Sequence, residues 1–343
     1  MKRILITRPM PERVSEAARA LFEVEMREEN TPLKPGQMKG ALALYDGIMP
    51  TLGDMFSAEI FAEAENSRCR ILANFGVGTN HIDVAAARGV GIAVTNTPGA
   101  VTDATADIAV MLMLMSARRA GEGERMLRAG RWAGWNPTQM LGLHMTGKTV
   151  GIIGLGNIGR LVAGYVKVFG AKAIAYDPYI SDADFAERGA DKVDFDTLFR
   201  EADIVSVNCP LNTETRGMVG EKAFSLMKPT SYFITTARGG IADEDALIAA
   251  LKENRIRGAG LDVFDIEPTG NATNRFVGFD NVLLSPHNAG VTHECNYNMS
   301  KAAAEQWMVI LRGEKPPRLK NPEVWDKYTE RYERIFGQAV AAE

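Results

Sequence analysis

Cysteine and histidine are scarce in this sequence, with three and four copies in 343 residues. Cys69, Cys209 and Cys295 lie far apart. An odd count without a C-x-x-C pair suits no disulfide framework, and a reducing, cytoplasmic setting is the expectation. His81, His144, His287 and His293 make no ligand spacing, so no catalytic metal is expected. Long apolar runs are also lacking. The most apolar segment, Ile108 to Met115, spans eight residues, where a membrane helix needs about 20. The opening MKRILITRPM holds a short apolar run broken by Arg8, too short for a signal-peptide core, and it reads as a first strand. No charge of one sign prevails: 39 basic residues face 43 acidic ones, for a net charge of -4. That balance offers no basic field for nucleic acid and no polybasic run for anionic lipid.

What is present is an ordinary globular composition, 46% apolar and 24% charged, which excludes a mostly disordered chain. At roughly 100–200 residues per domain, the length suggests two domains. Short β-rich runs alternate with helical patterns, as parallel sheets wound by helices require. One set of runs is Arg3–Thr7, Ala41–Tyr45, Arg70–Asn74 and Ile92–Thr95. The second is Thr149–Ile153, Ala173–Tyr176, Ile204–Asn208, Ser231–Thr235, Gly260–Val263 and Val282–Leu284. Two sets imply two sheets, and Thr97-Pro98-Gly99 marks the break between them.

From Val101 to Arg119 the pattern is helical, with Thr102 or Asp103 placed to cap its start. Its middle is apolar nearly all round, which predicts burial between domains or subunits. Met111, Met113 and Met115 there read as packing residues. Gly130 to Leu143 reads as irregular and carries Trp132 and Trp135, which need cover from their own domain or from a partner subunit. In the tail from Arg318 to Glu343, Trp325, Tyr328, Tyr332 and Phe336 recur at helical spacing and predict one docked face.

The strongest local signal is Gly154-Leu-Gly156-Asn-Ile-Gly159, directly after the apolar run Thr149–Ile153. A lone G-x-G-x-x-G is weak, but strand, turn, helix and next strand follow one another here. Gly154 permits the tight turn, Gly156 lets backbone approach a pyrophosphate, and Gly159 lets helix and strand pack closely. The helix N-terminus then offers unpaired N–H groups to the anion. Asp177 closes the next strand, 18 residues after Gly159. An acid at that place accepts from a ribose 2′-hydroxyl and repels a 2′-phosphate, which favours NAD over NADP. The bland alternative is a ligand-free glycine turn followed by an Asp-Pro turn.

Three chemically able residues close later β-runs: Arg238 in Thr236-Ala-Arg-Gly-Gly240, Glu267 before Pro268, and His287 after Pro286. Doubly wound folds place ligands at such strand ends. A guanidinium can hold a carboxylate or polarise a carbonyl. An imidazole, with an ordinary pKa of about 6.5, can move a proton near neutrality. A carboxylate beside it favours the imidazolium and fixes its orientation. Each alone is more often a plain loop residue. Their order behind a dinucleotide turn makes them a candidate set. Gly76-Val-Gly78, after another strand, suits close approach of backbone to an anion or an ordinary tight turn.

With these motifs the chain resembles the D-isomer-specific 2-hydroxyacid dehydrogenases. The matching segments are Asn74-Phe-Gly-Val-Gly-Thr-Asn-His-Ile-Asp83, Thr97-Pro-Gly-Ala-Val-Thr-Asp-Ala-Thr-Ala-Asp107, the Gly154 turn, Asn208-Cys-Pro-Leu-Asn-Thr-Glu-Thr-Arg216, Thr236 to Gly240, Gly260-Leu-Asp-Val-Phe264 and Pro286-His287. The resemblance implies an α/β fold of two doubly wound domains, a Rossmann cofactor domain (101–290) inserted into a flavodoxin-like substrate domain (1–100 with 291–343). It implies an NAD-dependent oxidoreductase that interconverts a 2-oxoacid and a D-2-hydroxyacid. His287 would be the acid/base, Glu267 its partner and Arg238 the anchor of the substrate carboxylate and carbonyl. The backbone at Val77 and Gly78 would share the carboxylate. Thr105, Cys209, Pro210, Ala237, Asp262 and Gly290 would line the cofactor together with Gly154, Gly156, Asn157, Ile158, Gly159 and Asp177. Family members are usually homodimers, with the long helix and the following arm at the interface, and domain closure would exclude water from the hydride path.

After the histidine, many members read His-x-Gly-Ser, whereas this chain reads His287-Asn-Ala-Gly290. That form resembles the phosphoglycerate dehydrogenase-like and hydroxypyruvate reductase-like branches, and Gly130-Arg-Trp-Ala-Gly-Trp-Asn-Pro137 resembles glyoxylate/hydroxypyruvate reductases. Glyoxylate or hydroxypyruvate is therefore the expected substrate, with 3-phosphoglycerate second. A phosphite dehydrogenase-like enzyme and an NAD-sensing corepressor-like interaction protein stay open. Formate dehydrogenases pair their histidine with Gln, so Glu267 argues against that branch.

Overall fold

The computed structural model describes residues 1–270 and 272–337. The chain forms two compact units, Met1–Val101 with Val291–Glu343, and Thr102–Gly290. Residues 338–343, part of the tail assigned to the first unit, lie outside the described residues, as does the Phe336 side chain.

The first unit runs β1 (Arg3–Ile6), α1 (Glu12–Arg19), β2 (Glu23–Met26), α2 (Pro35–Leu44), β3 (Gly47–Met49), α3 (Ala58–Phe61), β4 (Ile71–Ala73), α4 (Val84–Gly89) and β5 (Ala93–Thr95). Its five strands are parallel in the order β2-β1-β3-β4-β5, the flavodoxin-like order. Alternation along each strand feeds two cores. Leu5, Ile48, Leu72 and Val94 pack under α2, α3 and α4. Ile4, Ile6, Met49 and Ile71 pack under the later helices α12 (His293–Leu311) and α13 (Val324–Phe336). Trp307 on α12 is fully buried there.

Ala41–Tyr45 is not a strand, contrary to the expectation from its apolar run. It is the end of α2, and the strand is Gly47–Met49. Pro35 presets the first helical turn, Gln37 reaches back to the Lys34 amide, and Met38, Ala41 and Leu42 bury one helical face. The edge strand β2 escaped notice because its alternation of Glu and apolar residues is only four residues long.

The tail helix docks as its spacing predicted. Trp325 stacks on Tyr328, and Tyr328 and Tyr332 are buried. The buried Arg331 guanidinium donates to the carbonyls of Glu65, Ser67, Cys69 and Gly91, tying α13 to the segments that lead into β4 and β5.

The second unit opens with α5 (Thr102–Ala117) and α6 (Ala120–Arg128), separated by Arg119 at φ +53°. It continues with β6 (Thr149–Ile153), α7 (Asn157–Val168), β7 (Lys172–Tyr176), α8 (Asp182–Glu187), β8 (Asp191–Lys192) and α9 (Phe195–Glu201). Then come β9 (Ile204–Val207), α10 (Glu221–Leu226), β10 (Tyr232–Thr235), α11 (Glu244–Lys252), β11 (Gly258–Leu261) and β12 (Val282–Leu284). Seven parallel strands lie in the order β12-β11-β10-β9-β6-β7-β8. One core packs Val150, Ile152, Ile204 and Ile234 under α5 and α7, and the other packs Ile153, Val205, Val207 and Phe233 under α9, α10 and α11. No helix among the described residues is long and apolar enough to cross a membrane. The segment between α6 and β6 is irregular, as expected. Its Trp135 is 93% exposed in the single chain and meets Trp132 edge to face.

Candidate active site

Strand order reverses between β6 and β9, so a crevice opens at their carboxyl ends. The glycine turn lies at that reversal. Gly154 has φ +86°, and a Cβ there would stand 2.8 Å from the Cys209 amide nitrogen. Gly159 is buried, and its Cβ would collide with the Gly154 carbonyl oxygen. Gly156 differs: a Cβ there would meet nothing within 4 Å, so it faces open space just where α7 begins. Asn157 and Ile158 form the first turn of α7, whose amides are unpaired by helix geometry. Backbone cradle, open face and helix N-terminus fit a pyrophosphate.

Asp177 follows β7, its carboxylate accepting from the Leu155 amide at 2.9 Å and the Tyr179 amide at 3.0 Å. It borders a cleft of about 450 Å³ with Tyr176, Pro178, Lys192 and Asp194. Across the reversal, Cys209 follows β9, and burial pushes its thiol up to about 11, which favours the neutral form. Pro210 follows it, its carbonyl accepting from Thr215 Oγ1 at 2.6 Å. Thr105 is buried in the first turn of α5. Near Cys209 in the sequence, the buried Asn208 Oδ1 has no partner among the described residues, and neither does Thr236 Oγ1 beside Ala237. Sequence reasoning had not singled out these two atoms.

Arg238, Glu267 and His287 follow β10, β11 and β12. His287 Nδ1 lies 2.6 Å from Glu267 Oε2, and Glu267 Oε1 accepts the Phe264 amide at 2.8 Å. Desolvation raises the Glu267 pKa, but the hydrogen bond and charge of His287, the Phe264 amide and the Arg238 charge outweigh it, so the net direction is down. Burial lowers the Arg238 pKa, and the Glu267 charge opposes it. The two loops that carry Arg238 and Glu267 are stitched together. The Gly240 amide donates to Asp265 Oδ1 at 2.6 Å, and Gly239 packs so closely on the Phe264 carbonyl that no Cβ fits.

His287 has φ +51°, a left-handed conformation that costs a non-glycine residue about 1–3 kcal/mol. The fully buried Asp262 holds it there. Its carboxylate accepts from Ser285 Oγ at 2.5 Å and from the Asn288 and Ala289 amides at 3.0 Å each. Asn288 completes the arrangement, its amide oxygen 2.6 Å from Ser285 Oγ. Gly290 ends the unit. The resemblance implied Asp262 as a cofactor contact; among the described residues its carboxylate bonds to the histidine loop, while its amide donates to the Thr235 carbonyl at 3.0 Å.

In the other unit, Val77 and Gly78 lie in the loop after β4, preceded by Gly76 at φ +143°. His81 is buried in the same unit. A wider cleft of about 800 Å³, lined by Arg118, His144, Lys148, Tyr232 and Arg257, opens beside the strands' amino ends in the second unit. None of the three strand-end residues lines it.

Known proteins agree with this architecture. Residues 110–289 match the family model described as D-isomer specific 2-hydroxyacid dehydrogenase, NAD binding domain. A glyoxylate reductase of Thermococcus litoralis is 39% identical over 94% of this chain and 97% of its own length. One of Korarchaeum cryptofilum is 39% identical over 94% and 96%. Among solved structures, a D-isomer specific 2-hydroxyacid dehydrogenase of Polaromonas sp. JS6 66, itself described as putative, superposes with TM-score 0.85 at 31% identity, covering 93% of this chain and 99% of that one. A glyoxylate reductase from Paecilomyes thermophila gives TM-score 0.81 at 29% identity, over 94% and 99%. A dinucleotide turn at the strand-order reversal, in a chain whose relatives match it nearly end to end, makes this protein a member of the D-isomer-specific 2-hydroxyacid dehydrogenase family and an NAD-dependent 2-hydroxyacid dehydrogenase.

Proposed function

We propose that the protein reduces small 2-oxoacids of the glyoxylate and hydroxypyruvate class to D-2-hydroxyacids, with NADH preferred over NADPH. The carrying observation is the 2.6 Å pairing of His287 with Glu267 in the unit that also presents Arg238. The nicotinamide, when bound, supplies the hydride that the substrate's carbonyl carbon accepts. His287 gives the carbonyl oxygen a proton from Nε2, because Nδ1 is committed to Glu267. Glu267 orients the ring and balances its charge. Arg238 anchors the substrate carboxylate through its planar fork and polarises the carbonyl. Val77 and Gly78 share that carboxylate through backbone N–H groups.

Asp177 meets the ribose hydroxyls, and its charge repels a 2′-phosphate. Asn157 and Ile158 close on the pyrophosphate, while Thr105, Cys209, Pro210, Ala237, Asp262 and Gly290 line the nicotinamide half. The glyoxylate reductases among the relatives support the substrate class. A cytoplasmic homodimer joined through the α5 helix and the tryptophan arm completes the reading. The test is a panel of 2-oxoacids assayed with NADH and with NADPH. Glyoxylate and hydroxypyruvate should be reduced fastest, hydroxypyruvate to its D product, with NADH the better donor. No turnover on any 2-oxoacid would sink the reading.

A further inference from the structure

In the loop after β4 the carbonyls of Gly76, Val77 and Gly78 are all hydrogen-bonded, whereas not all of the loop's amides are. The Asn74 side chain donates from Nδ2 to the Gly76 carbonyl at 3.0 Å and to the Gly78 carbonyl at 2.9 Å. Asn96, at the end of β5, donates from Nδ2 to the Val77 carbonyl at 2.7 Å. The Thr97 amide adds a bond to the Gly76 carbonyl at 3.1 Å. The amides of Asn74, Phe75 and Gly76 are all bonded within the chain. Those of Val77 and Gly78 have no acceptor among the described residues.

A trans peptide unit is planar, with its C=O and the next N–H pointing in opposite directions. Holding the Gly76 carbonyl therefore aims the Val77 N–H, and holding the Val77 carbonyl aims the Gly78 N–H. The Gly78 carbonyl aims the Thr79 N–H in the same way. Two side chains thus fix three successive peptide planes.

Both asparagines are buried, and Asn74 is fully so. The orientation of the Asn74 amide is settled by chemistry: reversed, it would set a carbonyl oxygen against two others. Its own Oδ1 has no donor among the described residues, so the side chain is held through its two donated bonds. Successive N–H groups turned to one side form an anion-binding concavity.

We propose that Asn74 and Asn96 are positioning residues for the substrate carboxylate, aiming the Val77 and Gly78 amides by clamping the carbonyls of residues 76–78. This rests on the 2-oxoacid reading above. It adds that carboxylate affinity is set by two side chains that do not touch the substrate.

The test compares Asn96→Leu and Asn96→Ser with wild type. Thermal melting comes first, and Asn74→Ser takes the place of any Asn96 variant that does not fold. KM for glyoxylate and Ki for oxamate should both rise about tenfold, the loss expected for one carbonyl left without its donor. The NADH Kd and kcat should stay within about twofold, because the lost affinity lies in binding the carboxylate. Asn96→Ser, which retains a hydroxyl donor, should lose less than Asn96→Leu. Folded variants with wild-type KM and Ki overturn the inference, as does an equal loss of NADH affinity, which marks general collapse. A wild type inactive on every 2-oxoacid removes the underlying reading, whereas an active wild type with unshifted variants removes this inference alone.

Discussion

His287 and Glu267 meet at 2.6 Å through Nδ1 and Oε2, while the other Glu267 oxygen is held by the Phe264 amide. The carboxylate cannot turn away without giving up both bonds. The imidazole is thereby held through Nδ1, which leaves Nε2 as the nitrogen not engaged by Glu267.

Replacing His287 by Ala should cut kcat for glyoxylate reduction by about a hundredfold to ten-thousandfold, the usual contribution of a positioned acid. NADH affinity should be retained, since the glycine turn lies elsewhere in the unit. Steady-state rates and fluorescence titration of NADH measure the two separately. Near-normal turnover in the variant would remove His287 as the acid.

Glu267→Gln reports on pH. The Glu267 pKa is lowered in the folded chain, so its ionised form stabilises the fold above the ordinary value of 4.5. That contribution is lost as pH falls through the lowered value. Urea unfolding of wild type and variant across pH should show a stability gap that is full at neutral pH and closes in acid. A gap that widens as pH falls would reverse the sign and refute the assignment. The group is partly exposed, so the gap should be small.

Two glycines of one turn should fail in different ways. Gly159→Ala sets a methyl against the Gly154 carbonyl and should lower stability by about 2 kcal/mol or more. Gly156→Ala meets open space, so the melting temperature should hold while NADH affinity falls. Differential scanning calorimetry with and without NADH separates them. Equal melting temperatures for the two variants would contradict the geometry.

Asp262→Ala should cost about 1–3 kcal/mol, because it leaves the Asn288 and Ala289 amides without their acceptor, while Ser285 Oγ keeps Asn288 Oδ1. It should also lower kcat by releasing His287 from its left-handed backbone. Urea midpoints and turnover should fall together; a stable, slow variant would place Asp262 in the chemistry instead.

Trp135→Ser addresses assembly. A tryptophan 93% exposed in the single chain is expected to be covered by a second copy. Sedimentation should show wild type as a dimer and the variant shifted toward monomer. A monomeric wild type would remove the interface.

Sequence patterning revealed most of the second sheet because its strands are apolar on both faces and end in residues with distinctive chemistry. The Gly154 turn is legible from its strand, turn and helix context, and His287 only as one of three residues that close successive strands. The first unit was harder to read. Ala41–Tyr45 is apolar enough for a strand, and only the proline and the Lys34–Gln37 capping pair upstream mark it as helix. Asp262 entered through the family resemblance, as a cofactor contact, and its hold on the histidine loop was not legible. Its partners lie 23 to 27 residues away, and no local pattern encodes that. The Asn74 and Asn96 clamps were hidden for the same reason, since a side-chain amide bonding a distant carbonyl leaves no periodic trace.

Arg331 gives the first unit a schedule. The guanidinium that ties together the approaches to β4 and β5 belongs to α13, more than two hundred residues downstream of them. During synthesis the continuous stretch Thr102–Gly290 can collapse as soon as it leaves the ribosome. The sheet made before it must wait, one face still bare of Trp307 and Tyr328, until translation has nearly finished. A nascent chain stalled before α12 would therefore carry one finished half and one open half, with Ile4, Ile6, Met49 and Ile71 lacking their cover.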